Sequence, residues 1–171
     1  LRSRNINVLK SSRNIRPTTD RARETLFNIV SNMYDFKGFT VLDLFAGTGS
    51  FGIECLSRGS ECCYFVDSNT ESVIGNINSL GLIEKSKIIK TDVLYFLKSN
   101  RELKFDLIFA DPPYDYKNYD KLLESASLFK SFFILEHSGK NTNIMGYQKN
   151  IVKQKDIGIS SFTFYNFENE E

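Results

Sequence analysis

Apolar runs of four to six residues alternate with segments of helical periodicity through the middle of the chain. Such runs, bounded by turn residues, are typical of strands in a buried parallel sheet, and the amphipathic segments between them are typical of covering helices. The predicted strands are 40–45, 61–66, 87–90, 105–110 and 131–136, and the predicted helices are 50–58, 69–80, 92–99 and 117–129. This alternation predicts a doubly wound α/β fold with a mostly parallel sheet.

The pattern changes at both ends of the chain. Residues 16–19 (RPTT) have the proline and hydroxyl groups of a helix start, and the apolar positions after them predict a helix to about Met33. Near the other end, residues 147–155 and 159–167 mix apolar and polar positions around a DIG turn. These two segments predict a C-terminal antiparallel hairpin, and we expect residues 1–171 to form a single domain.

The composition narrows the class of protein. The chain has 171 residues, 41% hydrophobic and 25% charged, as in an ordinary globular domain. No apolar segment reaches the length of a membrane span, and the N-terminus lacks the apolar core of a signal peptide. Cys55, Cys62 and Cys63 have no metal-ligand spacing, and their odd number argues against a disulfide framework. We expect reduced thiols, a cytoplasmic location without membrane association, and a monomer.

The net charge is only +1, but it is unevenly distributed. Residues 1–24 contain seven Lys or Arg and two acids, whereas the rest of the chain has an excess of acids. This asymmetry indicates an anionic partner for a basic N-terminal arm, residues 1–18. A solvated arm without a partner is the alternative that charge alone leaves open.

The most informative motif follows the fourth predicted strand, where an apolar run ends in residues 111–114 (DPPY). The prolines cannot continue the strand, so Asp111 is expected at its carboxyl end, where open α/β sheets bind ligands. The Asp111 carboxylate and the Pro112 carbonyl can accept both N–H groups of an aromatic amine, with Pro113 holding the backbone rigid. They would direct the lone pair of the amine at an electrophile and stabilise the developing charge. Tyr114 can stack on the base.

A glycine turn follows the first predicted strand. Gly47 and Gly49 permit a sharp turn and a close approach to a ligand, and the Gly-x-Gly-x-x-Gly spacing is typical of nucleotide sites. Three acids lie at successive strand ends. Asp43 suits a cationic group, Asp67 can accept both ribose hydroxyls, and Asp92 can accept from an adenine amino group. An ammonium group, a ribose and an adenine together describe S-adenosylmethionine, although each acid alone is also a plausible helix cap.

Three motifs together resemble the class I S-adenosylmethionine-dependent methyltransferases, and more closely the RsmD family of bacterial 16S rRNA (guanine-N2) methyltransferases. They are residues 16–27 (RPTTDRARETLF), 42–52 (LDLFAGTGSFG) and 111–114 (DPPY). The resemblance implies a Rossmann-like methyltransferase fold whose seven-stranded sheet ends in an antiparallel strand. It also implies transfer of a methyl group to the exocyclic N2 amine of a guanine, with 16S rRNA or the small ribosomal subunit as the partner.

The resemblance also implies roles for individual residues. The base would lie at residues 111–114. The cofactor contacts would be Asp43, Phe45, Ala46, Gly47, Gly49, Asp67, Ser68, Asp92 and Val93. The residues that seat RNA would be Arg13, Arg16, Thr18, Arg21 and Arg23. No metal is required, because the methyl group of a sulfonium is already activated.

Other functions remain open from the sequence. A DNA adenine-N6 methyltransferase uses a similar DPPY motif, but it usually has a separate target-recognition region, for which 171 residues leave little room. An NAD-dependent Rossmann oxidoreductase would explain the glycine turn and Asp67 but neither Asp43 nor the DPPY motif. At the end of the fifth strand, Glu136 can brace the pocket and His137 can act as a base, or both can be ordinary polar residues of a strand end.

Overall fold

A seven-stranded mixed sheet forms the centre of the fold in the computed structural model, which describes residues 20–138 and 146–168. The strands are β1 (Thr40–Leu44), β2 (Cys62–Asp67), β3 (Ser86–Lys90), β4 (Leu107–Ala110), β5 (Phe132–Ser138), β6 (Ile151–Ile157) and β7 (Ser160–Asn166). The helices are α1 (Asp20–Met33), α2 (Ser50–Ser57), α3 (Glu71–Leu80), α4 (Val93–Ser99) and α5 (Tyr119–Ser127). No helix within the described ranges is long and apolar enough to cross a membrane.

The strand order is β3-β2-β1-β4-β5-β7-β6. The first five strands are parallel, and β7 pairs antiparallel with both β5 and β6. From β1 the chain adds β2 and then β3 on one side of that strand, and it then returns to add β4 and β5 on the other side. The direction of winding therefore reverses between β1 and β4. In open α/β sheets, ligands bind at the carboxyl ends of the strands beside such a reversal. The topology therefore places the candidate site beyond Leu44 and Ala110.

Each face of the sheet is covered by helices. One hydrophobic core joins α1, α2 and α3 to side chains such as Phe65, Phe109 and Ile134. The other joins α4 and α5 to the alternate strand positions, including Leu44, Ala110 and Leu135. Burial on both faces is the reason that these strands are near-continuous apolar runs, as expected for a parallel sheet.

Helix α1 is positioned over the carboxyl end of the sheet by aromatic packing. The Phe27 ring stacks on Phe51 of α2 at 5.0 Å between centroids, and Phe51 stacks on Phe109 of β4 at 3.9 Å. The guanidinium of Arg58 lies 4.9 Å from the Phe27 centroid and binds the Ser31 hydroxyl. These contacts fix the first described helix against the strand that ends at the DPPY motif.

The fold class, the parallel sheet and the antiparallel hairpin are confirmed. The first hairpin strand, however, was predicted at 147–155, whereas β6 is Ile151–Ile157. A 3₁₀ turn at Gln148–Asn150 precedes it, following Tyr147 with a φ of 56°. The Asn150 side chain donates to the carbonyl of Asn166, which fixes the later start of β6. The predicted helix start at residues 16–19 lies outside the described residues.

Candidate active site

The two sequence motifs lie side by side at the carboxyl edge of the sheet. The Ala46 N–H donates to the Val66 carbonyl at 3.2 Å, and the Asp111 N–H donates to the Leu44 carbonyl at 3.4 Å. The Phe45 ring meets the Tyr116 ring edge-on, with 5.2 Å between centroids. The glycine turn after β1 and the DPPY segment after β4 therefore share one crevice.

The glycines of the turn have different physical roles. Gly47 and Gly49 have φ values of 54° and 76°, in the left-handed region that favours glycine. A Cβ on Gly47 would meet nothing closer than the Phe45 carbonyl oxygen at 3.9 Å, so this glycine borders open space. A Cβ on Gly49 would lie 2.6 Å from Val73 Cγ2, so Gly49 lets α2 pack closely on its neighbours. The sequence pattern did not separate these two roles.

Asp67 closes the glycine turn from the end of β2. Its Oδ2 accepts the Gly47 N–H at 2.8 Å, and its Oδ1 accepts the Asn69 N–H at 2.9 Å. The Ser68 hydroxyl lies 3.4 Å from Oδ1. Each carboxylate oxygen has a second lone pair, so Asp67 retains acceptor capacity for the hydroxyls of a ribose at the open side of Gly47.

Asp43 is buried directly beneath the turn, with 2% of its surface exposed. Its Oδ2 accepts the Gly52 N–H at 3.0 Å. The pKa of Asp43 is raised to about 8, chiefly because the side chain is buried; the Gly52 hydrogen bond opposes this rise, and the Asp67 charge adds to it. A nearby cation would favour the ionised form, so the position suits the ammonium end of a ligand.

Asp92 caps helix α4, since its Oδ1 accepts the Tyr95 N–H at 2.9 Å. The side chain is exposed after the carboxyl end of β3, and a carboxylate has more acceptor sites than this one cap uses.

Val93 and Ala46 are buried in the two hydrophobic cores, so only their backbone groups can border a ligand. The residues predicted from the sequence to contact the cofactor therefore include polar side chains at the strand ends and apolar residues buried in the cores.

The acids follow the spatial order of the strands, with Asp92, Asp67, Asp43 and Asp111 at the ends of β3, β2, β1 and β4. This row fits the adenine, ribose and ammonium groups of S-adenosylmethionine better than it fits a dinucleotide. A pyrophosphate needs free backbone N–H groups at the start of α2. Here the N–H groups of Gly47 and Gly52 are already bound by the side chains of Asp67 and Asp43, and the charge of Asp67 would repel an anion.

Asp111 lines a small cleft of about 30 Å³ between the sheet edge, α1 and α2. The cleft is lined by Arg23, Leu26, Ser50, Phe51, Phe109, Asp111 and Glu136. Burial raises the pKa of Asp111 well above its usual range, and the charges of Glu136 and Asp43 raise it further. A carboxyl group with a raised pKa is suited to accept a proton from a reacting amine.

The rest of the DPPY segment forms a tight turn in which the Tyr116 N–H donates to the Pro113 carbonyl at 2.9 Å. Pro112 is buried, whereas Tyr114 is 77% exposed. Tyr116, a second candidate for stacking on a base, instead packs edge-on against Phe45 and Tyr119. Burial raises the pKa of Tyr116 to about 12, and the charge of Asp92 adds to the rise. Of the two tyrosine rings, that of Tyr114 is the exposed one.

The predicted RNA contacts are only partly described. Arg13, Arg16 and Thr18 lie outside the described residues, and Arg21 is exposed on the first turn of α1. Arg23 lines the same cleft as Asp111, a position that the spacing of basic residues did not indicate.

His137 is a structural residue of the sheet. Its Nε2 lies 2.9 Å from the Thr163 hydroxyl and its Nδ1 lies 3.0 Å from the Ser138 carbonyl. Burial lowers its pKa, and its partners lie on β5 and β7 rather than in the cleft. The structure thus favours the interpretation of His137 as an ordinary polar residue of a strand end.

A family model described as Conserved hypothetical protein 95 matches residues 1–166. A putative rRNA methyltransferase, YlbH from Bacillus subtilis, is 39% identical over 129 residues, covering 72% of this chain and 67% of the relative. A ribosomal RNA small subunit methyltransferase D from Buchnera aphidicola (subsp. Acyrthosiphon pisum) is 35% identical over 154 residues, covering 85% of this chain and 79% of the relative.

Solved structures have the same fold. A putative methylase from Haemophilus influenzae superposes with a TM-score of 0.70 at 27% identity, covering 86% of this chain and 88% of the other. A putative methyltransferase from Escherichia coli, yhhF, superposes with a TM-score of 0.77 at 22% identity, covering 92% and 90%. The second likeness is evidence for the fold alone.

Proposed function

The chain belongs to the RsmD family, whose model is described as Conserved hypothetical protein 95, and we propose that it methylates the N2 amine of a guanine in 16S rRNA. The methyl donor is S-adenosylmethionine. The observation that carries the proposal is the position of Asp111, at the end of β4 and beside the glycine turn of β1. Relatives named as small-subunit rRNA methyltransferases support the choice of RNA.

The residues of the crevice would hold the donor by its polar groups. Asp67 would accept the ribose hydroxyls, the exposed Asp92 would accept from the adenine amine, and the buried Asp43 would face the ammonium group. The open side of Gly47 leaves room for close contact with the backbone. When bound, S-adenosylmethionine supplies an activated methyl group on a positively charged sulfur.

The DPPY segment would present the amine. The Asp111 carboxylate and the Pro112 carbonyl accept its two N–H groups, and Tyr114 stacks on the ring. A new N–C bond forms as the S–C bond breaks, and the excess proton on nitrogen passes to the carboxylate of Asp111, whose raised pKa suits it to accept one. Positioning and electrostatic stabilisation supply the acceleration, without a metal or a covalent enzyme intermediate.

The substrate base must leave its stack to reach a cleft at the strand ends. Helix α1 borders that cleft through Arg23, and its exposed Arg21 lies on the same first turn. The basic arm at residues 1–18 precedes this helix directly. We propose that the arm and α1 seat the RNA backbone while the base docks on the DPPY segment at the mouth of the cleft.

The test is transfer of a labelled methyl group to small ribosomal subunits or naked 16S rRNA, followed by digestion and identification of the nucleoside. We expect N2-methylguanosine. Asp111→Ala should lower the transfer rate by roughly 100- to 1000-fold, the scale for losing one preorganised group. Asp115→Ala, which removes an exposed acid of the same loop, is the matched control and should remain active. Product at adenine N6, or a fully active Asp111→Ala variant, would contradict the proposal.

A further inference from the structure

Glu136 lies beside Asp111 at the carboxyl edge of the sheet. Ala110 of β4 pairs with Leu135 of β5 in the parallel register, so the next residues of the two strands are adjacent. Both residues line the cleft under α1 and α2, and the charge of Glu136 contributes to the raised pKa of Asp111. Two carboxyl groups from neighbouring strands thus border the cleft beside which the base would dock.

Glu136 is buried, although an ionisable side chain is costly to remove from water. Only 6% of its surface is exposed. Glu136 lies two residues beyond Ile134, so it shares the strand face covered by α1 and α2. The next residue, His137, is directed to Thr163 of β7 instead. Of these two polar residues at the end of β5, only Glu136 lines the cleft.

The chemistry of purines gives this carboxylate a role. In guanine, the N2 amine is flanked on the Watson–Crick edge by N1–H, a donor, whereas in adenine the amine is flanked by N1, an acceptor. Enzymes that extrude a base recognise it by hydrogen bonds to this edge. A base whose N2 amine is held by Asp111 and Pro112 therefore presents its N1 position to a group adjacent to Asp111.

We propose that Glu136 determines the choice of base by accepting the N1–H of guanine and repelling the N1 lone pair of adenine. This inference rests on the proposed function, and it assigns recognition of the ring N–H to a residue other than the DPPY motif. A carboxylate accepts but does not donate, so it discriminates between a donor and an acceptor at the same position. Discrimination by such a buried polar group is large, because the wrong base offers it no hydrogen bond.

The test compares guanine with 2-aminopurine, which keeps the N2 amine but has an acceptor at N1. Small subunits are reconstituted with 16S rRNA carrying either base at the nucleotide identified by the mapping experiment. Wild-type protein should prefer guanine by at least roughly 100-fold in kcat/KM. Glu136→Gln offers an amide that can donate or accept, so it should reduce this preference by roughly 10- to 100-fold.

Two further variants separate recognition from structure. Glu54→Gln makes the same chemical change at a residue that does not line the cleft. Its amide oxygen can still accept from Arg58, as the carboxylate does at 2.7 Å, so this variant should keep the wild-type preference. Glu136→Asp keeps a carboxylate, so it should lose rate but retain a preference for guanine. The shorter side chain of Glu136→Asp withdraws the carboxylate from N1–H. If Glu136→Gln is poorly folded by thermal melting, Glu136→Asp decides the question, and a rate and a guanine preference equal to those of the wild type overturn the inference.

The outcomes distinguish the two proposals. A wild-type protein that methylates guanine, with an unchanged guanine preference in Glu136→Gln, overturns the role of Glu136 and leaves the proposed function intact. A wild-type protein that transfers no methyl group to guanine overturns both. A preference that collapses in Glu136→Gln and persists in Glu54→Gln supports recognition of N1–H by Glu136.

Discussion

At the scale of single residues, we expect Asp43 to couple cofactor binding to the release of a proton. Its pKa of about 8 means that the buried carboxyl group is mostly protonated at pH 7. A bound ammonium group favours the ionised form, so cofactor binding should release a proton, and affinity should rise with pH between 6 and 8. The limit for one coupled proton is about tenfold per pH unit. Calorimetry at pH 7 in buffers of different ionisation enthalpy measures the release.

The matched variant for this effect is Asp43→Asn, which keeps an oxygen for the Gly52 N–H but does not titrate. We expect its cofactor affinity to be weaker and its dependence on pH to be flatter than in the wild type. Equal proton release by the two proteins would assign the linkage to another group, such as Asp111.

The positions of the acids at the candidate site were largely predictable from the sequence. Asp67 and Asp111 each follow an apolar run, and parallel strands bring their carboxyl ends to one edge. The role of Tyr116 was not predictable, because its packing depends on Phe45, which is distant in sequence. The position of Glu136 depends on the register between β4 and β5, which a single strand pattern does not specify.

At the scale of elements, we expect the two glycines of the turn to affect different properties: Gly47 the binding of the ligand, and Gly49 the packing of the helices. Gly49→Ala should destabilise the fold by about 2–5 kcal/mol, combining an unfavourable positive φ with overpacking against Val73. Gly47→Ala has a similar φ but borders open space, so it should cost only about 1–2 kcal/mol. Denaturant unfolding of the two variants measures the difference.

Cofactor affinity gives the complementary measurement on the same pair. The added methyl group of Gly47→Ala would project into the crevice, so this variant should bind S-adenosylmethionine more weakly while it remains folded. Equal loss of stability in the two variants would contradict the assignment of Gly49 to packing.

The elements themselves were predicted to within a few residues, apart from β6. The predicted strand begins at Tyr147, whose aromatic ring suits a strand, but Tyr147 packs edge-on against Phe167 at 5.5 Å, and the chain forms a 3₁₀ turn at Gln148–Asn150. This packing joins residues 20 positions apart, so local alternation of apolar and polar residues could not reveal it.

At the scale of the whole molecule, charge is concentrated before α1, and we expect it to act on RNA affinity. Replacing Arg13 and Arg16 by Gln should reduce the slope of log affinity against log salt by about 0.7–0.9 for each phosphate that is no longer neutralised. The control replaces two exposed lysines near the sheet edge, Lys149 and Lys153. Titrations of 16S rRNA between about 50 and 200 mM salt measure the slopes. Equal slopes for both double variants would exclude the arm from phosphate binding.

The direction of β7 has a practical consequence for labelled forms of this protein. Because β7 is antiparallel to β5, its last residues lie at the edge where β5 begins, and the Phe167 N–H bonds the Ser131 carbonyl at 3.2 Å. Helix α1 instead borders the opposite edge through Arg23. An affinity tag or fluorescent reporter joined at the first turn of α1 would lie at the edge that carries the cleft. The same group joined behind β7 would leave access to it clear.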